Sequence, residues 1–228
     1  MSLVERCKQQ MSSSLLRLVD EKLYTSESSD IHLTEQEFIA YHDAYDKASQ
    51  KWPTKPIDHI VKFIKKRIAG KKPIQKFKFA DVGCGREPLL KIKLGQRAKV
   101  QSFDLVSTNK DIVKANMDKL PIDDQSIDCA VYSLSLMAKN LGNIILEAKR
   151  ILKLNGHLLI VEVSSRFQGH EKRFVTKLEA LGLSKKSMIA LKPNGYFTFF
   201  HFTKADCETS YSTSDRRISL KPCLYKSR

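Results

Sequence analysis

Short apolar runs alternate with helical patterns from Phe77 onward, and this alternation constrains the fold more than any other feature of the sequence. The runs are FKFADVGCG, AKVQSFDL, SIDCAVYSLSL and GHLLIVEV, with helical stretches at 141–152 and 169–181. Strands that alternate with helices form a parallel sheet covered on both faces. Two later runs, KKSMIAL and YFTFFHFT, are separated only by KPNG, as in a hairpin. We predict an α/β protein with helices on both faces of a mostly parallel sheet, and one antiparallel strand in a C-terminal hairpin.

The first strand runs directly into the glycine-containing turn DVGCG. Gly83 and Gly85 let the backbone turn sharply and approach a ligand at the carboxyl end of the strand, where open α/β sheets bind ligands. The next strand ends at Asp104. Its spacing in the sequence after the first strand is typical of a carboxylate that accepts hydrogen bonds from ribose hydroxyls. Pro88 stands where a dinucleotide enzyme has its third glycine. This pattern favours S-adenosylmethionine over NAD; the alternative is a plain turn followed by a helix-capping aspartate.

A strongly basic composition points to a polyanionic partner. The chain has 40 Lys and Arg against 25 Asp and Glu, a formal net charge of +15, and nucleic acid is the commonest partner of such a protein. The charge concentrates between Val61 and Ala80, where eight residues are basic and none is acidic. Apolar residues at helical spacing predict an amphipathic helix over 56–69, ended by Gly70. This basic run is either a solvated face or an RNA-binding surface.

The remaining composition narrows the class of protein. Five scattered cysteines, without a C-x-x-C pair, suit neither a disulfide framework nor a structural zinc site, so we expect a reducing compartment and no metal. No apolar stretch approaches the roughly 20 residues of a membrane span, and the polar N-terminus lacks a signal-peptide core. We expect a soluble protein that is not exported and does not bind membranes.

Several segments resemble the nucleomethylin family of nucleolar ribosomal-RNA methyltransferases. The shared segments include DVGCG, NMDKLPIDDQSIDCAVYSLSLMAKNL and EAKRILKLNGHLLIVEVSSRF in the predicted sheet. The resemblance extends to LRLVDEKLYTSESS and YHDAYDKASQKWPTKPID before it, and to the terminal ISLKPCLYKSR. It therefore covers nearly the whole chain. The resemblance implies a Rossmann-like class I methyltransferase fold, a location in the nucleus and nucleolus, and ribosomal RNA as the substrate. It also raises nucleolar or chromatin proteins as partners; we expect a monomer.

The family's cofactor contacts can be carried over residue by residue. The resemblance places S-adenosylmethionine against seven positions: His42, Gly83, Gly85, Asp104, Asn116, Met117 and Ser133. The family commonly has Asp at position 116, and Asn can still accept a hydrogen bond through its side-chain oxygen. Ser133 replaces a common Cys. Arg86 is also unusual at its position, and we expect it to face RNA.

The expected reaction is methylation of an adenine at N1. Amino-group methyltransferases carry an Asp/Asn-Pro-Pro-aromatic turn after the fourth strand, where this chain has SLSL, and Cys129 is not placed as a nucleophile for cytosine methylation. Adenine N1 has a neutral lone pair, so positioning supplies most of the catalysis and no catalytic residue is assigned. Phe167, Tyr196 and Phe197 are candidate walls for the base. A different class remains open, a catalytically weak binding module with a methyltransferase fold.

Three parts of the chain receive separate roles. Residues 1–56, with helices predicted at 7–24 and 34–50, form a lid over the cofactor; residues 57–204 form the methyltransferase domain; residues 205–228 form a polar loop and a tail that packs on it. Trp52 is expected to anchor the N-terminal part onto the sheet. We expect RNA phosphates to contact eight residues, with the helical ones beside the active site: Lys62, Lys65, Lys66, Arg67, Lys71, Lys72, Arg86 and Arg166.

Overall fold

A seven-stranded β-sheet forms the centre of the molecule. The structure, a computed structural model, describes residues 14, 18–70, 72–206, 212 and 216–223. The strand order is β3-β2-β1-β4-β5-β7-β6. The strands are β1 Lys78–Val82, β2 Lys99–Asp104, β3 Ile112–Lys114, β4 Ile127–Ser133, β5 Leu152–Val163, β6 Leu183–Ala190 and β7 Phe197–Lys204. Strand β7 is antiparallel to both β5 and β6, whereas the other neighbouring pairs are parallel. The predicted α/β class and the C-terminal hairpin are confirmed.

Within the described residues, α-helices and short 3-10 turns surround this sheet. The helices are α1 Glu35–Ser49, α2 Pro56–Phe63, α3 Leu89–Leu94, α4 Leu141–Ile151 and α5 Glu171–Ala180. The turns are Ser28–Asp30, Ile74–Lys76 and Ser164–Phe167, and residues 18–25 are also helical. Thr34 caps α1 with a capping box, in which its side chain and that of Glu37 each bond the other's backbone N–H. Of the predicted helix over 7–24, residues 18–24 are helical, and the part before residue 18 lies almost wholly outside the described residues.

Successive side chains of the strands point to opposite faces of the sheet, and a hydrophobic core lies on each face. Ala80 of β1 packs with α4, α5 and the segment 18–31, whereas its neighbour Phe79 packs with α2 and α3. This is the two-residue period of a strand buried on both sides. Helices on both faces, as predicted, follow from that burial. Trp52 lies against Phe197 with ring centroids 5.1 Å apart, which confirms its role as an anchor.

The predicted helix over 56–69 is continuous but changes character halfway. It continues from α2 as a π-helical segment, Ile64–Ala69, in which the Gly70 N–H donates to the Lys65 carbonyl five residues back at 3.1 Å. Gly70 ends it with a positive φ of 56°, a conformation that glycine adopts without strain. Helix α3 and strand β3 were not predicted.

The two ends of the described chain pack on the sheet domain. Val19, Leu23 and Ile31 belong to the same hydrophobic cluster as α4 and α5, and Ile218 of the tail is buried there as well. A side chain at Gly142 would lie 2.0 Å from the Arg216 carbonyl oxygen, so the tail backbone runs directly over the start of α4. The division of the chain at residues 56 and 204 stays a prediction.

Candidate functional site

A cavity of about 410 Å³ opens at the carboxyl ends of β1, β2 and β4. Its position is where open α/β sheets bind ligands, and its volume is in the range of small-molecule sites. The seven residues assigned to the cofactor from the sequence all line it: His42, Gly83, Gly85, Asp104, Asn116, Met117 and Ser133. The fold therefore brings together residues that span more than ninety positions of the sequence, and their contact with a cofactor stays a prediction.

The turn after β1 lines this cavity, and two of its positions require glycine. Gly83 and Gly85 have φ angles of 71° and 78°. The Gly83 N–H donates to the Phe103 carbonyl at 2.8 Å, which ties the turn to β2. A Cβ atom on Gly83 would lie 2.4 Å from that of Ser135, closer than real Cβ contacts. The loop backbone is therefore bare where it faces the cavity.

Asp104, at the end of β2, is the principal acceptor in the cavity. Its two carboxylate oxygens accept the backbone N–H groups of Gly85 and Leu105, each at 2.8 Å. Burial raises the pKa of this carboxyl to about 6, although these backbone bonds oppose the shift. The Val106 N–H bonds the same carboxylate. An ionised carboxyl has about four lone-pair positions, so Asp104 retains acceptor capacity for a ligand.

Asp81, near the end of β1, also lines the cavity and was left out of the predicted site. It is buried, and its carboxylate accepts the N–H of Leu90 at the start of α3. Burial raises its pKa to about 7, and the negative charge of Asp104 adds to the shift. The position of Asp81 in DVGCG, two residues before Gly83, could have identified it from the sequence. Asp81 therefore connects the end of β1 to helix α3.

Helix α1 covers one side of the cavity with an aromatic face. Tyr41 and Tyr45 stand four residues apart, and His42 lies between them with its ring edge against both. Burial lowers the pKa of His42 to about 4, so the ring is neutral near pH 7. A Cβ on Gly85 would lie 2.9 Å from the His42 ring. Tyr45 was missed from the sequence, although the four-residue spacing in YHDAY places it on the same helix face.

Arg86 joins the glycine turn to helix α1. Its guanidinium forms ion pairs with Asp43, at 2.6 Å, and with Asp46. These pairs use only part of its five N–H donors, and the side chain is 34% exposed, so the prediction that Arg86 faces RNA stays a prediction. The pairs fix α1 over the cavity.

Asn116 connects the cavity to the segment before α1. Its side-chain N–H donates to the Ser28 carbonyl, and Ser28 in turn bonds Asp118 and Asn140. The Asn116 oxygen accepts a long hydrogen bond from the Asp118 backbone N–H, at 3.5 Å, and retains a second lone pair. Met117 and Ser133 also line the cavity.

Arg166 is buried and cannot contact RNA in this structure, so its assignment as a phosphate contact is wrong. Its side chain is 1% exposed and forms an ion pair with Glu162 at 2.7 Å. It also donates to the carbonyls of Leu136, at 2.7 Å, and Lys221, at 3.0 Å. Placing a cation in the interior is possible because these acceptors surround it.

The basic run lies largely away from the cavity. Helix α2 begins at the cavity, where Pro56 and Ile57 line it, and leads to the amino end of β1. Lys65 is eight residues beyond Ile57, about 12 Å along a helix axis. The expectation that the run lies beside the site is therefore wrong for its second half. All seven described members of the run are exposed: Lys62, Lys65, Lys66, Arg67, Lys72, Lys76 and Lys78. The predicted contact of the first five with phosphates stays a prediction. Lys71 lies outside the described residues.

The aromatic residues proposed as walls for a base do not line the cavity. Phe167 is buried against Phe174 and Phe200, and Phe197 is fully buried beside Trp52. Both belong to the hydrophobic core. Tyr196 is half-buried beside Phe197. In the described parts of the chain, we find no group of three potential metal-ligating side chains, and every helix there is too short or too polar to cross a membrane.

Comparison with known proteins relates the chain to methyltransferases over its full length. A family model described as "Hypothetical methyltransferase" matches residues 2–228. Ribosomal RNA-processing protein 8 of Drosophila melanogaster is 37% identical over 235 residues, covering 100% of this chain and 61% of that protein. The protein of the same name in Caenorhabditis elegans is 34% identical and covers 99% and 63%. In Schizosaccharomyces pombe, 25S rRNA (adenine(645)-N(1))-methyltransferase is 32% identical, covering 100% and 73%. The chain thus spans less than two thirds of the fly and worm relatives.

Solved structures with low sequence identity share the fold. A SAM dependent methyltransferase from Aquifex aeolicus superposes with a TM-score of 0.54 at 15% identity, covering 71% of this chain and 98% of its own. An S-adenosylmethionine dependent methyltransferase from Listeria monocytogenes gives a TM-score of 0.52 at 12% identity, covering 66% and 99%. These similarities show the class I methyltransferase fold.

Proposed function

The chain belongs to the hypothetical-methyltransferase family, and from this premise we propose that it methylates ribosomal RNA with S-adenosylmethionine, at N1 of an adenine in the large-subunit RNA. The observation that carries the proposal is the pairing of a bare glycine turn with the Asp104 carboxylate at the carboxyl edge of the sheet. A relative in Schizosaccharomyces pombe bears the name of this activity.

The cavity fits an adenosine cofactor by several independent features. A Cβ atom would fill the cradle at Gly83 or Gly85. Asp104 is buried among backbone donors yet keeps acceptor capacity, which suits the two hydroxyls of a ribose. The Asn116 oxygen suits an adenine amino group, because it retains a lone pair beside the long bond from the Asp118 N–H, and the bond to Ser28 fixes the amide orientation. When bound, S-adenosylmethionine supplies an activated methyl group carried on a sulfonium.

Adenine N1 requires no general base for this transfer. Its neutral lone pair attacks the methyl carbon as the carbon–sulfur bond breaks, and the positive charge passes from sulfur to the base. The work of the chain is therefore to hold the base in line at about 3 to 3.5 Å. Because N1 lies on the Watson–Crick edge, the target adenine must be unpaired or flipped out. We propose that the turn 133–138 and helix α1, which flank the cavity, hold it and exclude water.

His42 contributes by being neutral. A cationic ring at this wall of the cavity would repel the sulfonium, and burial keeps the pKa of His42 near 4. Near pH 7, the buried, uncharged imidazole ring instead packs against the aromatic side chains of α1.

Methyl transfer from radiolabelled S-adenosylmethionine to large-subunit ribosomal RNA tests the proposal. We expect label in RNA, recovered as 1-methyladenosine after nuclease digestion, and none with the Asp104→Ala variant. Binding of RNA and cofactor without transfer would instead support the alternative, a binding module that recruits nucleolar or chromatin proteins. A monomer in the nucleolus, where ribosomal RNA is processed, is part of this proposal.

A further inference from the structure

A second, strongly basic concavity lies between helix α5 and the C-terminal tail. We call it the tail groove; its volume is about 520 Å³. Its basic side chains are His170, Arg173 and Lys177 of the helical side, and Arg217 and Lys221 of the tail, besides the buried Arg166. None of the described residues that line it is acidic. Such a surface attracts a polyanion.

The backbone that carries these cations is fixed on both sides. Arg173 and Lys177 are four residues apart on α5, and Phe174 between them is buried against Phe167 and Phe200. In the tail, Ile218 is buried. The Lys221 N–H donates to the Arg166 carbonyl at 3.1 Å, and the Arg166 side chain donates back to the Lys221 carbonyl. The positive charges are thus held in a defined arrangement.

The tail groove lies at the same edge of the sheet as the cofactor cavity. Arg166 follows the carboxyl end of β5 and lines the groove from below, and it donates to the Leu136 carbonyl. The neighbours Ser135 and Met137 line the cofactor cavity. The buried Arg166 side chain therefore connects a wall of the tail groove to a wall of the cofactor cavity. The second half of the basic run instead lies towards the amino ends of the strands, as its connection to Lys78 shows.

Part of the positive charge of the basic run is engaged within the protein. The concavity beside it is lined by Asp58, whose carboxylate pairs with Lys93 at 2.8 Å. The Lys65 ammonium donates to the Lys93 carbonyl at 3.1 Å. Part of its positive charge is thus used within the protein.

We propose that the tail groove binds the phosphate backbone of the substrate RNA beside the target adenine. The inference rests on the proposed function, in that it takes the substrate to be RNA. An unpaired adenine that enters the cofactor cavity past residues 134–138 leaves its flanking nucleotides at this edge of the sheet. Cations there position the strand without reading its sequence.

Two charge-matched variants test the proposal. One carries Arg173→Gln, Lys177→Gln, Arg217→Gln and Lys221→Gln; the other carries Lys65→Gln, Lys66→Gln, Arg67→Gln and Lys72→Gln. Each removes four positive charges from the chain's +15. The measurement is the affinity for a labelled RNA hairpin with an adenine-rich loop, over a series of KCl concentrations.

We expect the groove variant to lose affinity and to flatten the slope of log affinity against log salt, by roughly 0.7 to 0.9 for each phosphate contact removed. The run variant should keep most of the parent slope, and both should bind S-adenosylhomocysteine like the parent. Equal losses in the two variants, or a loss in the run variant alone, would overturn the proposal.

The outcome is separable from that of the proposed function. If the parent transfers no methyl group to RNA but the groove variant still loses RNA affinity, the proposed reaction is refuted and the tail-groove proposal is supported. If the parent methylates RNA and the groove variant binds it with the parent slope, the groove proposal alone fails.

Discussion

Asp104 is the side chain on which the cofactor site depends most. Replacing it by Ala removes two charge-assisted hydrogen bonds to a ribose, each worth about 1.5 to 3 kcal/mol. We expect S-adenosylhomocysteine to bind well over tenfold more weakly to Asp104→Ala, measured by calorimetry. Asp123→Ala is the control, because that aspartate is exposed and lies outside the cavity. Unchanged affinity in the Asp104 variant would refute its role.

Burial of His42 should make the stability of the protein depend on pH. Burial lowers its pKa from 6.5 to about 4 in the folded protein. Between these values the unfolded chain holds a proton that the folded protein has released, so His42 makes the free energy of unfolding rise with pH. We expect the stability of the parent relative to His42→Gln to increase from pH 4 to about 6.5 and then level off. Urea unfolding at several pH values measures it; a difference independent of pH would contradict the buried, neutral state.

Single residues show both the reach and the limit of sequence analysis. Gly83 and Asp104 were identifiable because a sharp turn and a ribose acceptor each demand a residue type at a fixed place. Arg166 was misassigned, and the carboxylates that pair with Arg86 were not predicted, because a positive charge does not reveal its partner. The signals were present in the sequence: Glu162 stands four residues before Arg166, and Asp43 and Asp46 lie one helix turn apart. Only the fold shows which carboxylates an arginine meets.

At the scale of elements, the attachment of helix α1 to the glycine turn is open to test. Asp43 pairs with Arg86 but does not line the cavity, so Asp43→Asn loosens the helix without touching a ligand. An ion pair this exposed is worth about 0.2 to 1 kcal/mol. We therefore expect S-adenosylhomocysteine affinity to fall by at most about fivefold, and the effect to shrink at high salt.

Asp111→Asn is the matched control for this attachment. It breaks a similarly exposed pair, Lys91–Asp111 at 3.0 Å, that is remote from the cavity. Equal effects of the two variants on cofactor affinity would show that the Arg86 pair does not hold α1 over the site.

Helices and strands long enough to show a regular spacing of apolar residues were predictable, and short ones were not. The long strands, the hairpin and the helices α1, α4 and α5 extend over enough residues for apolar periodicity to register. Helix α3 has six residues and β3 has three, which is too short for either period to stand out. The direction of α2 relative to the cavity required the topology, because only the connection to β1 places its basic end at the amino edge of the sheet.

At the scale of the whole molecule, both ends of the described chain meet at Arg166. The Tyr24 ring lies 4.7 Å from its guanidinium, and the Lys221 backbone bonds it from the other side. Glu162 of β5 supplies the counter-charge, and Leu136 belongs to the turn beside the cavity. The three parts that the sequence separates are thus joined through one buried cation, so we expect them to unfold together.

Removing that cation should destabilise the entire protein. Arg166→Met leaves the Glu162 carboxylate buried without its counter-charge, and breaking a buried pair in this way costs about 3 to 5 kcal/mol. The exposed pair of Lys91 is the control, since Lys91→Met should cost no more than about 1 kcal/mol in urea unfolding. The double variant Glu162→Gln/Arg166→Met removes both charges and should recover part of the loss. If the double variant were as unstable as Arg166→Met, the cost would lie in the lost bonds to Leu136 and Lys221. If Arg166→Met were no less stable than the control, the two ends of the chain would not depend on this residue.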